Sequence, residues 1–372
     1  MKSYKPFAIT VIGNSHIKQG IGCQDASYKN ENDKVSIAVV ADGHGDSNCF
    51  RSDKGSKLAV ACAAKGLEEF AVIHDQKFGK GHFKKKNIQG KNDFDKSIHD
   101  LVKFIIASWQ VKVEEDYTAN PFSQQELELA DDKHRKKYEA GNDFNKAYGT
   151  TLIATAITDN YWFGIHIGDG RFTALYPDGS FDQPVPWDDK CYLNVTTSIC
   201  DDDALEQART YFSFNEVSPP PVAVFICTDG IDDNYPVDEN EKHLFKLYRT
   251  IALTFANDDF DSTYNQMIEL VNAFATKGKG DDTSIAGFVD MEKIKKVEPI
   301  WQKQIAEEEK IIVKKNDGEE QAQNNNQESE KEELKISASK KILEAIKAYE
   351  KKNFNKGNIL NYGGFTSGKK KN

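Results

Sequence analysis

The sequence has little cysteine. Six residues (Cys23, Cys49, Cys62, Cys191, Cys200 and Cys227) are scattered through 372 positions, and no CxxC pair occurs. That spacing argues against a zinc ribbon and against a disulfide framework. Long apolar runs are missing as well. None approaches the ~18–20 residues that a membrane span requires, and Met1 to Thr10 lacks the apolar core of a secretion signal. Positive charge is outnumbered, with 49 Lys and Arg against 59 Asp and Glu for a formal net charge of -10. A general nucleic-acid binder needs a positive surface to displace counterions. Neither nucleic acid nor a membrane is therefore an expected partner, and the expected compartment is the reducing cytoplasm.

What is present suffices for a core: 38% of residues are apolar and 11% aromatic. The length suits one large domain or two ordinary ones. Composition changes near Trp301, because Lys303 to Lys335 contains no aromatic residue and no proline. Such a stretch buries too little apolar surface to offset its ordering entropy. The expected organisation is a folded domain over residues 1–300, a charged and partly disordered linker over 301–335, and a tail over 336–372. Within the tail, Ile336, Ile342, Leu343, Ile346 and Tyr349 recur at helical spacing and predict a short amphipathic helix over about Ser337 to Lys352. Residues 303–372 carry 15 Lys against 12 Asp and Glu, which leaves -13 on the rest. A Lys-rich insertion, Lys77 to Lys91, reads as a solvated loop or as a docking surface for an anionic partner.

Short apolar runs between turn residues predict strands at Phe7–Ile12, Val35–Ala41, Thr151–Ile157, Tyr161–Ile167, Phe172–Tyr176, Val222–Cys227 and Ser284–Val289. Asp159-Asn160 reads as a hairpin turn, and Gly168-Asp169-Gly170 as the next turn of an antiparallel meander. Helical periodicity covers Lys54–Phe70, Lys96–Asp116, Glu241–Ala256 and Phe260–Ala275. Strands with long helices inserted in pairs argue for an α+β fold with antiparallel sheets, not a doubly wound parallel one.

Aspartates mark the ends of these strands. Asp25 lies in Gly22-Cys23-Gln24-Asp25-Ala26. Asp42 opens Asp42-Gly43-His44-Gly45, Asp229 opens Asp229-Gly230-Ile231-Asp232-Asp233, and Asp281-Asp282 precedes Thr283. Converging carboxylates stay ionised together only around a cation. Oxygen-only ligation selects Mg²⁺ or Mn²⁺ over zinc. Two such ions about 3.5–4 Å apart are a device for hydrolysing phosphate esters. Taken singly, each Asp-Gly pair reads as an ordinary turn, His44 as a loop cap, and His166 as a core or sheet-face histidine.

The ordered series Gln24-Asp25, Val40-Ala41-Asp42-Gly43-His44-Gly45, Gly149-Thr150-Thr151, Gly168-Asp169-Gly170-Arg171, Thr228-Asp229-Gly230-Ile231-Asp232-Asp233 and Asp281-Asp282-Thr283-Ser284 resembles the PPM family. These are the metal-dependent, type 2C serine/threonine protein phosphatases, and Gly22 to Ala26 is similar to their bacterial branch. The resemblance covers about residues 5 to 290. It implies a four-layer sandwich of two antiparallel β-sheets flanked by helices. It also implies hydrolysis of phosphoserine or phosphothreonine on proteins by a water held between two Mg²⁺ or Mn²⁺ ions. Asp42 would bridge the ions and the Gly43 carbonyl would contribute an oxygen. Asp229 and Asp281 would complete one shell and Asp25 would serve the other. His44 would protonate the leaving oxygen, and Asp233 would help hold a third metal. The family often has Glu where Gln24 stands and a phosphate-binding Arg where Gly20 stands. His16, Lys18 and Arg51 are the candidates to replace that Arg. Where many members carry another third-metal Asp just before the Gly-Thr motif, Asn145 to Tyr148 intervenes, with Asp143 upstream. The alternatives are an inactive relative that binds phosphoproteins as a regulator, and a phosphatase of small molecules.

Overall fold

The computed structural model describes residues 4–32, 34–77, 88–188, 190–191, 195–236 and 240–320. Their strands are β1 (Tyr4–Val11), β2 (Ala26–Glu31), β3 (Ser36–Ala41), β4 (Leu152–Ile157), β5 (Tyr161–Ile167), β6 (Arg171–Leu175), β7 (Phe181–Asp182), β8 (Arg209–Phe214), β9 (Ala223–Cys227) and β10 (Thr283–Asp290). The helices are α1 (Asn14–Gln19), α2 (Ser52–Lys77), α3 (Ile88–Ala119), α4 (Gln124–Leu127), α5 (Asp132–Glu139), α6 (Ala204–Gln207), α7 (Asp229–Asp232), α8 (Asn240–Asn257), α9 (Phe260–Lys277) and α10 (Met291–Glu320). One sheet runs β1-β10-β9-β6-β7 and the other β2-β3-β4-β5-β8. Every pairing is antiparallel.

The sheets stack face to face and helices cover both outer faces. Val40, Ile153, Trp162, Phe172, Ile226 and Phe288 fill the space between the sheets. Ile37, Val39, Ala154 and Phe163 point the other way, against Leu67, Ile98, Ile105 and Trp109 of α2 and α3. Phe7, Phe225 and Ile285 meet Tyr248 and Phe255 of α8 and Val271 of α9. Because β3, β4 and β5 are covered on both faces, every residue in them is buried. That is why they read as continuous apolar runs and not as alternating ones. The fold is the α+β sandwich of antiparallel sheets expected from the sequence.

The four expected helices lie inside α2, α3, α8 and α9. Three strands, β2, the two-residue β7 and β8, are not among those expected from the sequence. β2 is an edge strand of polar composition, and β8 carries its aromatics on a partly exposed edge. The meander reading is corrected at Gly168: β5 and β6 belong to different sheets, so Gly168-Asp169-Gly170 crosses the sandwich. Gly168 has φ 110, and a Cβ there would lie 2.5 Å from the Thr151 side chain. The hairpin at Asp159-Asn160 holds, since it joins the paired strands β4 and β5.

The expected boundary at residue 300 is also corrected, because it falls inside α10. Ile294, Val297 and Trp301 are buried in the core beneath α8. The Trp301 indole donates to the Gly179 carbonyl at 3.1 Å, and Glu308 forms a two-pronged pair with Arg249 at 2.7 and 2.6 Å. The rest of the expected linker, the expected tail helix and most of the Lys77–Lys91 insertion lie outside the described residues. Among the described residues, no helix is long and apolar enough to cross a membrane.

Candidate active site

The topology delivers the chemistry to one end of the sandwich. Asp42 follows β3 and Asp229 follows β9, one from each sheet. Asp25 precedes β2 and the pair Asp281-Asp282 precedes β10, and these strands run antiparallel to β3 and β9. Asp169 sits in the crossing between β5 and β6. All six carboxylates therefore lie at the same end.

Backbone bonds fix the turns that carry them. The Asp42 carbonyl accepts from Thr151 N at 2.8 Å and Thr150 Oγ1 at 2.8 Å, and Asp42 N donates to Thr151 Oγ1 at 3.0 Å. The Gly149-Thr150-Thr151 segment thus anchors the Asp42 backbone and leaves its carboxyl for other work. Gly43 threads a gap that a side chain would close, since a Cβ there would lie 2.6 Å from the Gln24 carbonyl. Gly230 lets α7 press on β10, because a Cβ there would sit 2.1 Å from the Asp282 carbonyl. Asp282 is itself a staple: its buried carboxylate accepts from Gly13 N and Gln24 N, both at 2.6 Å. Gln24 donates its side-chain amide to Ser52 at 2.8 Å.

Electrostatically the cluster is frustrated. Burial pushes the Asp25 carboxyl well above its ordinary range, and Asp282 and Asp229 add to the shift. Burial and the neighbours Asp25, Asp229 and Asp169 do the same to Asp42. Asp229 and Asp169 are raised by burial and by further acids around them. The Asp42 and Asp229 carboxyl groups lie within hydrogen-bond reach of each other. Asp25 Oδ2 accepts from Thr228 at 2.8 Å, whereas its buried Oδ1 has no hydrogen bond among the described residues. Among the described residues, no group of three or more His, Cys, Asp or Glu side chains is arranged to hold a metal ion. An all-oxygen donor set, mutual repulsion and an orphaned buried carboxylate oxygen fit a hard divalent cation.

The pH consequence has a definite sign. Carboxyls raised above their ordinary value of 3.8 contribute stability that is complete below about pH 4 and is lost as pH climbs through the raised values. A bound cation cancels that loss. The melting-temperature gain on adding Mn²⁺ should therefore widen between about pH 5 and pH 7.5. A gain independent of pH would contradict this electrostatic picture.

The other expected residues fall into groups. His44 packs over Gly149, with Nε2 2.7 Å from Ser198 Oγ, and burial lowers its pKa to about 4. Asp281 is open to solvent, its side chain 59% exposed, and lies 3.9 Å from His16 Nε2. His16 Nδ1 stands 3.0 Å from Asp282, so this ring faces carboxylates and not open space. Asp233 is exposed at the end of α7, and Asp143 is held by Lys137 at 2.5 Å. Lys18 is exposed on α1, beside a cavity of about 430 Å³ that Lys279 also lines. His166 is buried on β5, as the bland reading expected.

Arg51 is corrected outright. Its guanidinium grips Glu126 at 2.6 and 3.0 Å, donates to Tyr148 OH and the Asn120 carbonyl at 2.7 Å each, and stacks over Phe122. It braces the helices below the site and has no donor pair left for phosphate. Breaking such a buried pair costs about 3–5 kcal/mol, and Lys lacks the fork that makes it. Arg51→Ala and Arg51→Lys should both lower the denaturation midpoint. The KM of the folded fraction should stay within about twofold, an effect below ~0.4 kcal/mol. A large KM increase at unchanged stability would restore the phosphate role.

Two residues carry site geometry that the sequence reading passed over. Asp169, read from the sequence as part of a turn and of a family motif but given no role in the site, adds its charge to the Asp42 and Asp229 carboxyls. Asp232 is buried beside Asp229 and bonds Arg171 at 2.6 Å, and Arg171 stacks on Trp187 with 3.7 Å to the ring centre. The sequence signal for both was their place inside the quoted Gly168–Arg171 and Thr228–Asp233 motifs.

Comparison with known proteins bears on this arrangement. The family model for protein phosphatase 2C matches residues 12–270. No curated protein sequence matches the chain. Among solved structures, a bacterial serine phosphatase is similar at 12% identity, covering 77% of this chain and 97% of its own, with TM-score 0.43. The catalytic domain of the serine/threonine protein phosphatase PstP, solved with two manganese ions, is similar at 12% identity, covering 77% and 99%, with TM-score 0.43. The serine/threonine phosphatase Stp1 from Staphylococcus aureus gives 12%, 77%, 94% and 0.43 for the same measures.

Proposed function

Because the chain belongs to the protein phosphatase 2C family, we propose that it hydrolyses phosphoserine and phosphothreonine on proteins with the help of two Mg²⁺ or Mn²⁺ ions. The observation that carries this reading is the gathering of Asp25, Asp42, Asp169, Asp229 and Asp281 at one end of the sandwich, with carboxyls that repel one another. Asp42 would be shared by the two ions and the Gly43 carbonyl would contribute an oxygen, while Asp229 and Asp281 would complete the shell of one. Asp25 would serve the other and Asp233 a weaker third. When bound, the ions supply an activated water and shield the phosphate charge.

The chain's own residues do the rest. Thr150 and Thr151 fix the Asp42 turn through its backbone. Asp282 ties the loops before β2 and after β1 together. His44 is the N–H donor for the leaving oxygen. With Arg51 buried in its own network and Gly20 bare, Lys18 remains the candidate cation for the incoming phosphate.

Two other readings stay distinct. Gln24 and the engaged Arg51 favour a weak or inactive regulator that binds phosphoproteins. A small-molecule phosphatase is the third. A substrate panel with added Mn²⁺ separates them: phosphoserine and phosphothreonine peptides, sugar phosphates, nucleotides and p-nitrophenyl phosphate. The proposal expects chelator-sensitive turnover, with peptides preferred. Turnover confined to sugar phosphates or nucleotides would transfer the activity to small molecules, and no turnover on any substrate would favour the regulator.

A further inference from the structure

Ser198 enters neither the family motifs nor the metal shell, yet it touches the one histidine assigned to the leaving group. It is buried in the loop before α6, with Oγ 2.7 Å from His44 Nε2. We propose that Ser198 is a positioning residue that fixes which nitrogen of His44 carries the proton, holding the neutral ring in its Nδ1–H form. The inference rests on the phosphatase reading only for its consequence, not for the tautomer itself.

Counting lone pairs gives the direction of the bond. A hydroxyl has one proton to give and two lone pairs to receive. Ser198 Oγ already accepts the backbone N–H of Thr150 at 3.2 Å and of Cys200 at 3.4 Å. Both lone pairs are then engaged. A protonated Nε2 would be a third donor aimed at an oxygen with no room for it. With both lone pairs taken, the 2.7 Å contact, the shortest that Ser198 Oγ makes, is assigned to the hydroxyl donating to Nε2, which places the proton of the neutral ring on Nδ1. The competing partners of the hydroxyl proton, the Thr150 carbonyl at 3.0 Å and Cys200 Sγ at 3.2 Å, both lie farther away than Nε2, and the carbonyl also receives Ile199 N at 3.0 Å.

The surroundings hold this arrangement as a unit. Ser198 N donates to Asp201 at 2.9 Å, and His44 N donates to the Gly149 carbonyl at 3.1 Å. Any side chain at 149 would displace the ring, because a Cβ there would lie 2.7 Å from His44 Cδ2. Thr150, which bonds Ser198 on one side, bonds the Asp42 carbonyl on the other. One short strand entry thus sets both the Asp42 turn and the imidazole. With Nε2 tied to Ser198, the only N–H that the neutral ring can offer a leaving oxygen is Nδ1–H. It stabilises charge on that oxygen as a hydrogen bond, and no proton transfer is part of the proposal.

The test reads the tautomer directly. ¹⁵N-detected histidine spectra of the full chain, recorded at neutral pH with and without Mg²⁺, should place His44 in the Nδ1–H form. In Ser198→Ala the signal should shift toward Nε2–H or a mixture. An Nε2–H ring in the wild type overturns the proposal whether or not the variant folds. A kinetic arm adds the consequence. Ser198→Ala should lower kcat on a phosphoserine peptide about tenfold, the effect of one charge-stabilising hydrogen bond. Turnover of p-nitrophenyl phosphate, whose leaving group needs no such help, should fall much less, with KM steady for both. An equal loss on both substrates would make Ser198 merely structural. A wild type with no turnover would sink the phosphatase reading and leave the tautomer result standing.

Discussion

Replacing Asp42 or Asp229 by Asn should lower kcat/KM on a phosphopeptide by about 10³-fold or more while raising the melting temperature of the metal-free protein near pH 7.5. The two effects share one cause. Each carboxyl is buried among others and destabilised there by burial and by its neighbours. The amide keeps the shape, removes one negative charge and relieves the repulsion. The Asp42 turn survives because its backbone, not its carboxyl, is what Thr150 and Thr151 hold. Loss of a charged ligand costs a metal site several kcal/mol of transition-state stabilisation, which is where the rate estimate comes from. A structural aspartate would behave in the opposite way, with stability falling first. Activity assays and thermal melts on the same preparations distinguish the two.

The second large effect belongs to α10. Trp301→Ala should destabilise the protein by about 3–5 kcal/mol, the range for deleting a buried aromatic. The side chain is fully buried, its N–H is bonded to Gly179, and its ring lies near Phe181. Ending the chain at residue 290 should be worse. It removes Ile294, Val297 and Trp301 from the core and takes Glu308 away from Arg249, a buried guanidinium. Leaving a buried charge unpaired is costly in itself. Urea denaturation of both variants measures this, and an unchanged midpoint for the chain ending at residue 290 would contradict it. Residues 301–308 thereby become part of the folded unit.

That boundary shows where sequence reasoning stopped. The segment after Lys303 has no aromatic and many charges, so its composition resembles a linker. The decisive contacts are the apolar stripe of Ile294, Val297 and Trp301 and the Glu308–Arg249 pair. They depend on a partner helix 40 to 60 residues away, which periodicity cannot see. The central strands were legible because both of their faces are buried and their side chains are uniformly apolar. β2 was not, because an edge strand needs only one covered face. At the site, the Asp-Gly motifs were legible because the turn chemistry and the carboxylate sit together in sequence. The place of Arg51 was not, because a guanidinium looks the same whether it faces phosphate or Glu126. Asp169 and Ser198 gain meaning only once β5 and β6 are known to lie in different sheets and the loop before α6 folds over Gly149.

We propose above that the acid cluster exists to hold divalent cations. The direct measurement is a calorimetric Mn²⁺ titration of the wild type beside Asp42→Asn and Asp229→Asn at neutral pH, in two buffers of different ionisation heat. Saturable binding to the wild type is expected, with protons released as the raised carboxyls ionise, and at least tenfold weaker binding to each variant, about 1.4 kcal/mol or more. Equal affinity in all three proteins, or binding that releases no protons, would contradict it.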